Sequence, residues 1–216
     1  MGSIFNTTIL FTAIAPIVLI HGYSEDSSVW DSWVSWLKSD GFDNIHQITF
    51  SNDDECGSVK SHAAELDKIL NNTQVNIVAH SKAGLDTRYY IAHYPDKVAN
   101  LIMIGTPNRG TPAGYMDLTE CAFQGSTGLE DLQPGSTATL VPDSNTTNYY
   151  AVAGDYPAPC YIVIERPTCY VIANDGFVTV DSAKSNYTSL GIFHYNHNTL
   201  VTQKDVYEKI LPILSQ

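Results

Sequence analysis

The stretch Val75–Tyr90, VNIVAHSKAGLDTRYY, passes from an apolar run into a helix-forming one with a single serine at the corner. A strand that turns sharply into a helix and presents a hydroxyl there needs small residues two before and two after the hydroxyl. Larger side chains would collide with neighbouring backbone. Ala79-His80-Ser81-Lys82-Ala83 meets that demand with alanines where glycines are usual, and Gly84 stands next to the tighter position as relief. A serine at a helix start is also a common cap. The rest of the chain has to decide between chemistry and packing.

Short apolar runs alternate with helical patterns on both sides of this corner. PIVLI (16–20) precedes a helix carrying Trp30, Trp33, Val34 and Leu37 on one face, with Ser27 or Ser28 as its cap. NIHQITF (44–50) leads to a helix over Val59 to Leu70, and QVNIVAH (74–80) to one from Lys82 to Tyr94. VANLIMIG (98–105), YYAVAG (149–154) and GIFHY (191–195) are further strands, and a last helix runs from Lys204 to Leu214. This alternation predicts an α/β fold: a mostly parallel sheet with helices on both faces, in one domain spanning 1–216. Ligands of such sheets sit beyond the carboxyl ends of the strands. Residues 108–148 break the rhythm, with little periodicity and many Gly, Pro, Thr and Ser, and are a candidate lid or cap.

Chemistry at Ser81 requires a base and an acid from later strand ends. IANDGFVTVDSA offers Asp175 in an Asn-Asp-Gly turn, and HYNHNTLV offers His197 between the last strand and the last helix. The order Ser81, Asp175, His197 is the one expected when the nucleophile sits on such a strand-to-helix turn. Asp155 and Asp181 compete as acids, and His194 is read as packed within its strand. PIVLIHGY ends a strand in His-Gly, a loop that can aim the Tyr23 N–H at a developing oxyanion beside the Lys82 N–H. His21 is read as a loop anchor and the Lys82 ammonium as solvent-facing.

These pieces resemble the secreted microbial triacylglycerol lipases and esterases of the α/β-hydrolase fold. PIVLIHGY, VNIVAHSKAGLDTRYY, LIMIGTPNRGTP and NDGFVTVDSA followed by HNTLV carry the likeness from about Pro16 to Leu200, and IGTPNRGTP (104–112) is its most family-specific part. The resemblance implies a serine carboxyl-ester hydrolase working through an acyl-enzyme, with the triad Ser81, Asp175 and His197. The spacing from acid to base is also like the family's. Ala83 departs from the family's glycine. Thr199 stands where some relatives place a calcium ligand, so no calcium is expected at that site. The chain lies at the compact end of the family, so the lid is expected to be short or absent. The same triad acting on amides, thioesters or polyesters is an alternative, as is an inactive fold used for binding.

The chain has 216 residues, 44% hydrophobic and 16% charged, enough for one sizeable core. A net charge of −12 argues against nucleic acid or an anionic membrane as partner. No cofactor and no metal is expected, the partner being a small-molecule or lipid ester, and the chain is expected to be a monomer. The run ILFTAIAPIVLI lacks a preceding Lys or Arg and is too short to span a bilayer, so it reads as mature protein, with Met1-Gly2-Ser3 an appended start. Sequons at Asn6, Asn71, Asn145 and Asn186 lean towards export. Cys160 and Cys169 bracket a hairpin-like YIVIERPT, which predicts that pair as a disulfide and leaves Cys56 with Cys121. Most of the thirteen tyrosines are assigned to half-buried packing.

Overall fold

The apolar runs become strands whose alternate side chains serve two separate cores. The computed structural model describes residues 15–50, 57–115, 128–156 and 173–216. The strands are β1 (Ile17–Ile20), β2 (Ile45–Ile48), β3 (Val75–His80), β4 (Val98–Ile104), β5 (Asn148–Gly154) and β6 (Thr188–Phe193). The longer helices are α1 (Asp31–Ser39), α2 (Val59–Leu70), α3 (Lys82–His93) and, at the end of the chain, α7 (Lys204–Leu214). Among the described residues, three one-turn helices lie between α3 and α7: α4 (Gly128–Asp131), α5 (Val180–Lys184) and α6 (His197–Leu200). All four cysteines, and with them both expected disulfides, lie outside the described residues, as do the hairpin-like segment and Asn6.

The six strands form one sheet in the order β2-β1-β3-β4-β5-β6, and every neighbouring pair is parallel. Ile17, Leu19, Val78, Ile102, Ile104 and Val152 pack on one face against α1, the turn that leads into it and α7, through Trp30, Trp33, Leu37, Tyr207 and Ile210. Val18, Ile20, Ile77, Ala79, Leu101 and Met103 face the other way, onto Ala63, Leu66, Tyr90 and Ile91 of α2 and α3. Each fully buried Leu, Ile or Val is worth about 1.5–3 kcal/mol, and a one-residue slip would turn every such side chain to the wrong layer. The two-sided burial therefore sets the register.

The chain order matters for the site. From β1 the chain moves outward to β2, then crosses back over β1 to reach β3 and continues in the opposite direction. The carboxyl ends of β1 and β3 thus adjoin at the point where the order reverses, the usual location of a ligand crevice in an open parallel sheet.

Local signals account for several helix ends. Ser58 caps α2 by accepting from the Ser61 N–H at 3.2 Å, and Asn71 closes it in a left-handed conformation. The expected cap at Ser27 or Ser28 is corrected: Asp26 accepts from the Ser28 N–H at 2.7 Å and starts a 3-10 turn, Ser27–Trp30, that runs into α1. Asp does this better than either serine because its carboxylate is a charged acceptor. In the region expected as a lid, the described parts hold a 3-10 turn, Pro112–Tyr115, and α4. Leu132 and Ala138 from this region are buried with Val59 and Leu85, so this stretch packs onto α2 and α3.

Polar side chains cross three strands near the amino ends of the sheet. Asn76, Asn100 and Asn148 stand at matched register positions. Asn100 donates to Asn76 Oδ1 at 2.8 Å and accepts from Asn148 at 3.1 Å, with Asn76 fully buried. Asn100→Ala would leave the buried Asn76 oxygen unpaired, a cost of about 1–3 kcal/mol. The expected result is a Tm lowered by about 2–4 °C for each kcal/mol lost, read by calorimetry; an unchanged Tm would show that the ladder contributes nothing.

Candidate active site

Ser81 follows β3 directly, with φ 52° and ψ −126°. A non-glycine residue held there costs about 1–3 kcal/mol and persists only where its surroundings over-determine it. Here they do. The Ser81 N–H donates to the Ile104 carbonyl at 2.9 Å, so the backbone is still tied to β4 as it turns. A Cβ on Gly22 would lie 2.8 Å from Ser81 Cβ, so only glycine lets the β1 loop approach this closely. A Cβ on Gly84 would meet the Thr106 side chain at 2.1 Å. The position with no room for a methyl is thus Gly84, while Ala83 is accommodated in the core.

The capping reading of this serine fails, because its side chain makes no cap hydrogen bond. Its Oγ lies 2.8 Å from His197 Nε2 instead. His197 Nδ1 lies 2.8 Å from Asp175 Oδ2. A carboxylate can only accept, so Nδ1 carries the proton and Nε2 is left to accept from the serine hydroxyl. Asp175 Oδ1 accepts from the N–H groups of Phe177 and Val178 at 3.0 and 2.8 Å. Burial alone would raise the Asp175 carboxyl, but the facing imidazole and these two amides outweigh it and hold it below the usual carboxylate range. His197 opens the one-turn helix α6, and its N–H donates to the Asp175 carbonyl at 2.9 Å.

The loop after β4 braces the acid turn. Thr111 donates its hydroxyl to the Phe177 carbonyl, and Ser182 donates to the Gly110 carbonyl at 2.7 Å. Arg109 pairs with Asp181 at 2.7 Å, which accounts for that aspartate. The other competing acid, Asp155, pairs with His194 at 3.0 Å. His194 was expected to be packed within its strand and is not: its side chain is 72% exposed, one residue beyond β6. His21 is buried, with Nδ1 2.9 Å from the Gly22 carbonyl and its ring edge-on to Phe50. Tyr23 follows Gly22, and Lys82 is the first residue of α3, where helix geometry leaves the N–H without an intrahelical acceptor.

Lys82 requires a correction. Its ammonium does not face solvent; the residue is 1% exposed. Its Nζ lies 2.6 Å from Asp86 one turn along α3, and Asp86 also binds His62 Nδ1 at 2.9 Å. The His62 ring stacks on Phe50 at 4.0 Å between centroids. A buried ammonium needs a carboxylate partner, and α2 and α3 supply one cluster that satisfies it. The sequence carried one signal of this, the i,i+4 spacing of Lys82 and Asp86.

A second pair on the other side of the serine has no such signal. His80 is fully buried, and its Nδ1 lies 2.7 Å from Glu25 Oε2. Burial would raise the Glu25 carboxyl, but His80 outweighs it and brings it down to about 2. Burial would lower the His80 imidazole, yet Glu25 and the His197 carbonyl raise it. Among the described residues no three His, Cys, Asp or Glu side chains converge as a metal site would require.

A parallel sheet with helices on both faces and a strained serine at the switch point defines the α/β-hydrolase fold. Residues 16–155 match the family model described as palmitoyl protein thioesterase, and the chain belongs to that family. Triacylglycerol lipases of Pseudarthrobacter phenanthrenivorans and Burkholderia plantarii are each 28% identical over 156 residues, covering 64% of this chain and 48% and 43% of theirs. The chain thus matches just under half the length of these curated relatives. The mature Bacillus licheniformis lipase BlEst2 is similar in structure, with a TM-score of 0.72 at 21% identity over 94% of this chain and 92% of that one. The ydeN gene product of B. subtilis gives 0.64 at 13% identity, over 94% and 100%. At these identities the structural likeness shows the fold alone.

The Lys82 cluster makes a testable demand. Asp86→Ala would leave the ammonium buried and unpaired, an expected loss of about 3–5 kcal/mol. Burial raises the Asp86 carboxyl, but Lys82 and His62 outweigh it and depress it. Its contribution is therefore present above the ordinary value of 3.8 and lost as pH falls through the depressed one. Urea melts from pH 7 down to pH 2 should show the wild-type advantage over Asp86→Ala shrinking at the acid end; a pH-independent gap would refute this.

Proposed function

We propose that this protein is a carboxylic ester hydrolase of the lipase/esterase type, acting through an acyl-enzyme on Ser81. The observation that carries the proposal is the unbroken contact from Ser81 Oγ to His197 Nε2 and from Nδ1 to Asp175, each at 2.8 Å. His197 takes the serine proton as Oγ attacks the acyl carbonyl, and later gives it to the leaving alkoxide. Asp175 holds the imidazole in the required tautomer and stabilises the imidazolium. The N–H groups of Tyr23 and Lys82 receive the oxyanion, about 3–4 kcal/mol for each donor in comparable sites. Water then attacks the acyl-enzyme by the same steps in reverse. No cofactor enters this scheme. The exposed sequon asparagines Asn71, Asn145 and Asn186 support export from the cytoplasm.

The family match favours a second reading, hydrolysis of acyl thioesters. Attack and oxyanion are shared between the two, and the difference lies in the leaving thiolate, which needs less help from the imidazolium because thiols are the stronger acids. Turnover of p-nitrophenyl esters from acetate to palmitate, beside acyl thioesters of the same lengths, decides between them by kcat/KM.

Ser81→Ala should abolish covalent labelling by a fluorophosphonate probe and remove nearly all turnover. Asp175→Asn should lower kcat about 10⁴-fold with the fold retained, because the wrong imidazole tautomer is then favoured. A folded wild-type protein that neither labels nor turns over ester or thioester would overturn the proposal in favour of a binding protein. Damage from Asp155→Asn and not from Asp175→Asn would overturn the acid assignment.

A further inference from the structure

Glu25 and His80 lie outside the two contacts just described, yet they touch both ends of the machinery. Glu25 Oε2 accepts from the Gly22 N–H at 2.8 Å and from His80 Nδ1 at 2.7 Å. His80 Nε2 lies 3.2 Å from the His197 carbonyl oxygen. We infer that Glu25 and His80 are positioning residues for the proposed hydrolysis, an imidazolium–carboxylate pair that ties the oxyanion loop to the backbone of the catalytic histidine. The inference rests on the reading of Ser81 and His197 given above.

The hydrogen-bond partners specify the charge on His80. A carboxylate and a carbonyl are both acceptors only, so each ring nitrogen must donate, and an imidazole that donates from both nitrogens is an imidazolium. With its side chain fully buried, that cation needs the Glu25 carboxylate beside it, whose own side chain is only 17% exposed. The charged groups facing His80 are Glu25 from the β1–α1 connection and Asp175 from the turn before α5, and the titratable ring of His197 from α6 lies 4.9 Å away between centroids. The raised His80 value agrees with this assignment but is not needed for it.

The consequence is mechanical. Glu25 closes the turn from Gly22, and the next amide, that of Tyr23, is the proposed oxyanion donor. His80 immediately precedes Ser81, so its side chain links the ends of β1 and β3 to the first residue of α6. A neutral His80 donates from one nitrogen only and must release either the His197 carbonyl or Glu25. Releasing either end displaces a group that acts in the transition state, and a displacement of about 1 Å is enough to cost about 10²-fold. The pair touches no substrate, so its loss acts on kcat and not on KM.

The test compares wild type, Glu25→Gln and Glu25→Asp with p-nitrophenyl butyrate, alongside histidine ring NMR. Glu25→Gln should lower kcat about 10- to 100-fold with KM within about twofold, and Glu25→Asp should recover part of the loss. In the wild type the His80 ring should carry both protons at pH 7, and in Glu25→Gln only one. Unchanged kcat in Glu25→Gln, or a wild-type His80 ring with a single proton at pH 7, would overturn the inference while leaving the hydrolase intact. If Glu25→Gln does not fold, Glu25→Asp and the wild-type spectrum decide. Wild-type protein with neither turnover nor fluorophosphonate labelling would overturn the hydrolase reading itself, and the positioning inference with it.

Discussion

The backbone at Ser81 is held where a non-glycine residue does not rest unaided, with φ at 52°. Three surroundings hold it: the hydrogen bond to Ile104, the close approach of Gly22 and the contact of Gly84 with Thr106. Two of these depend on the end of β4 and one on the end of β1, so the turn exists only once β1, β3 and β4 are paired. The strained geometry lifts the hydroxyl out of the sheet and towards His197. Two-sided burial of the sheet supplies the stability that sustains this local cost.

Charge is buried on both sides of the nucleophile. His80 precedes it and pairs with Glu25, and Lys82 follows it and pairs with Asp86 and His62. Such clusters add little net stability, since desolvation consumes most of the attraction. What they supply is geometry, because a buried ion tolerates few arrangements other than the one that pairs it. The serine thus sits between two polar anchors, one reaching to the β1 loop and one to α2. The acid turn is braced separately by the loop after β4, through Thr111, Gly110 and Arg109. Nucleophile, base and acid come from separate connections, and the backbone of the base is tied to both of the others, through the Asp175 carbonyl and through His80.

Much of this was legible in the residues. Apolar runs bounded by polar turns marked the strands, and amphipathic spacing marked α2 and α7 at their observed ends. The small residues around Ser81 marked the sharp turn, and chain order selected Asp175 and His197, which the fold brings into contact. These signals are local or depend only on order along the chain. The readings of Lys82 and His194 failed for the opposite reason. An exposed lysine at a helix start and a packed histidine in a strand are the ordinary outcomes for those residue types, and the one local signal to the contrary, the i,i+4 spacing of Lys82 and Asp86, is weak on its own.

The sequence by itself determined which segments become strands and helices, and which hydroxyl sits at the sharpest turn, because side-chain size and apolar periodicity act within a few residues. Only the tertiary structure decided that His80 meets Glu25 across 55 positions and that His197 meets Ser81 across 116. Those pairings arise from the order in which parallel strands stack, and a buried charge finds its partner only after that stacking has removed water from around it.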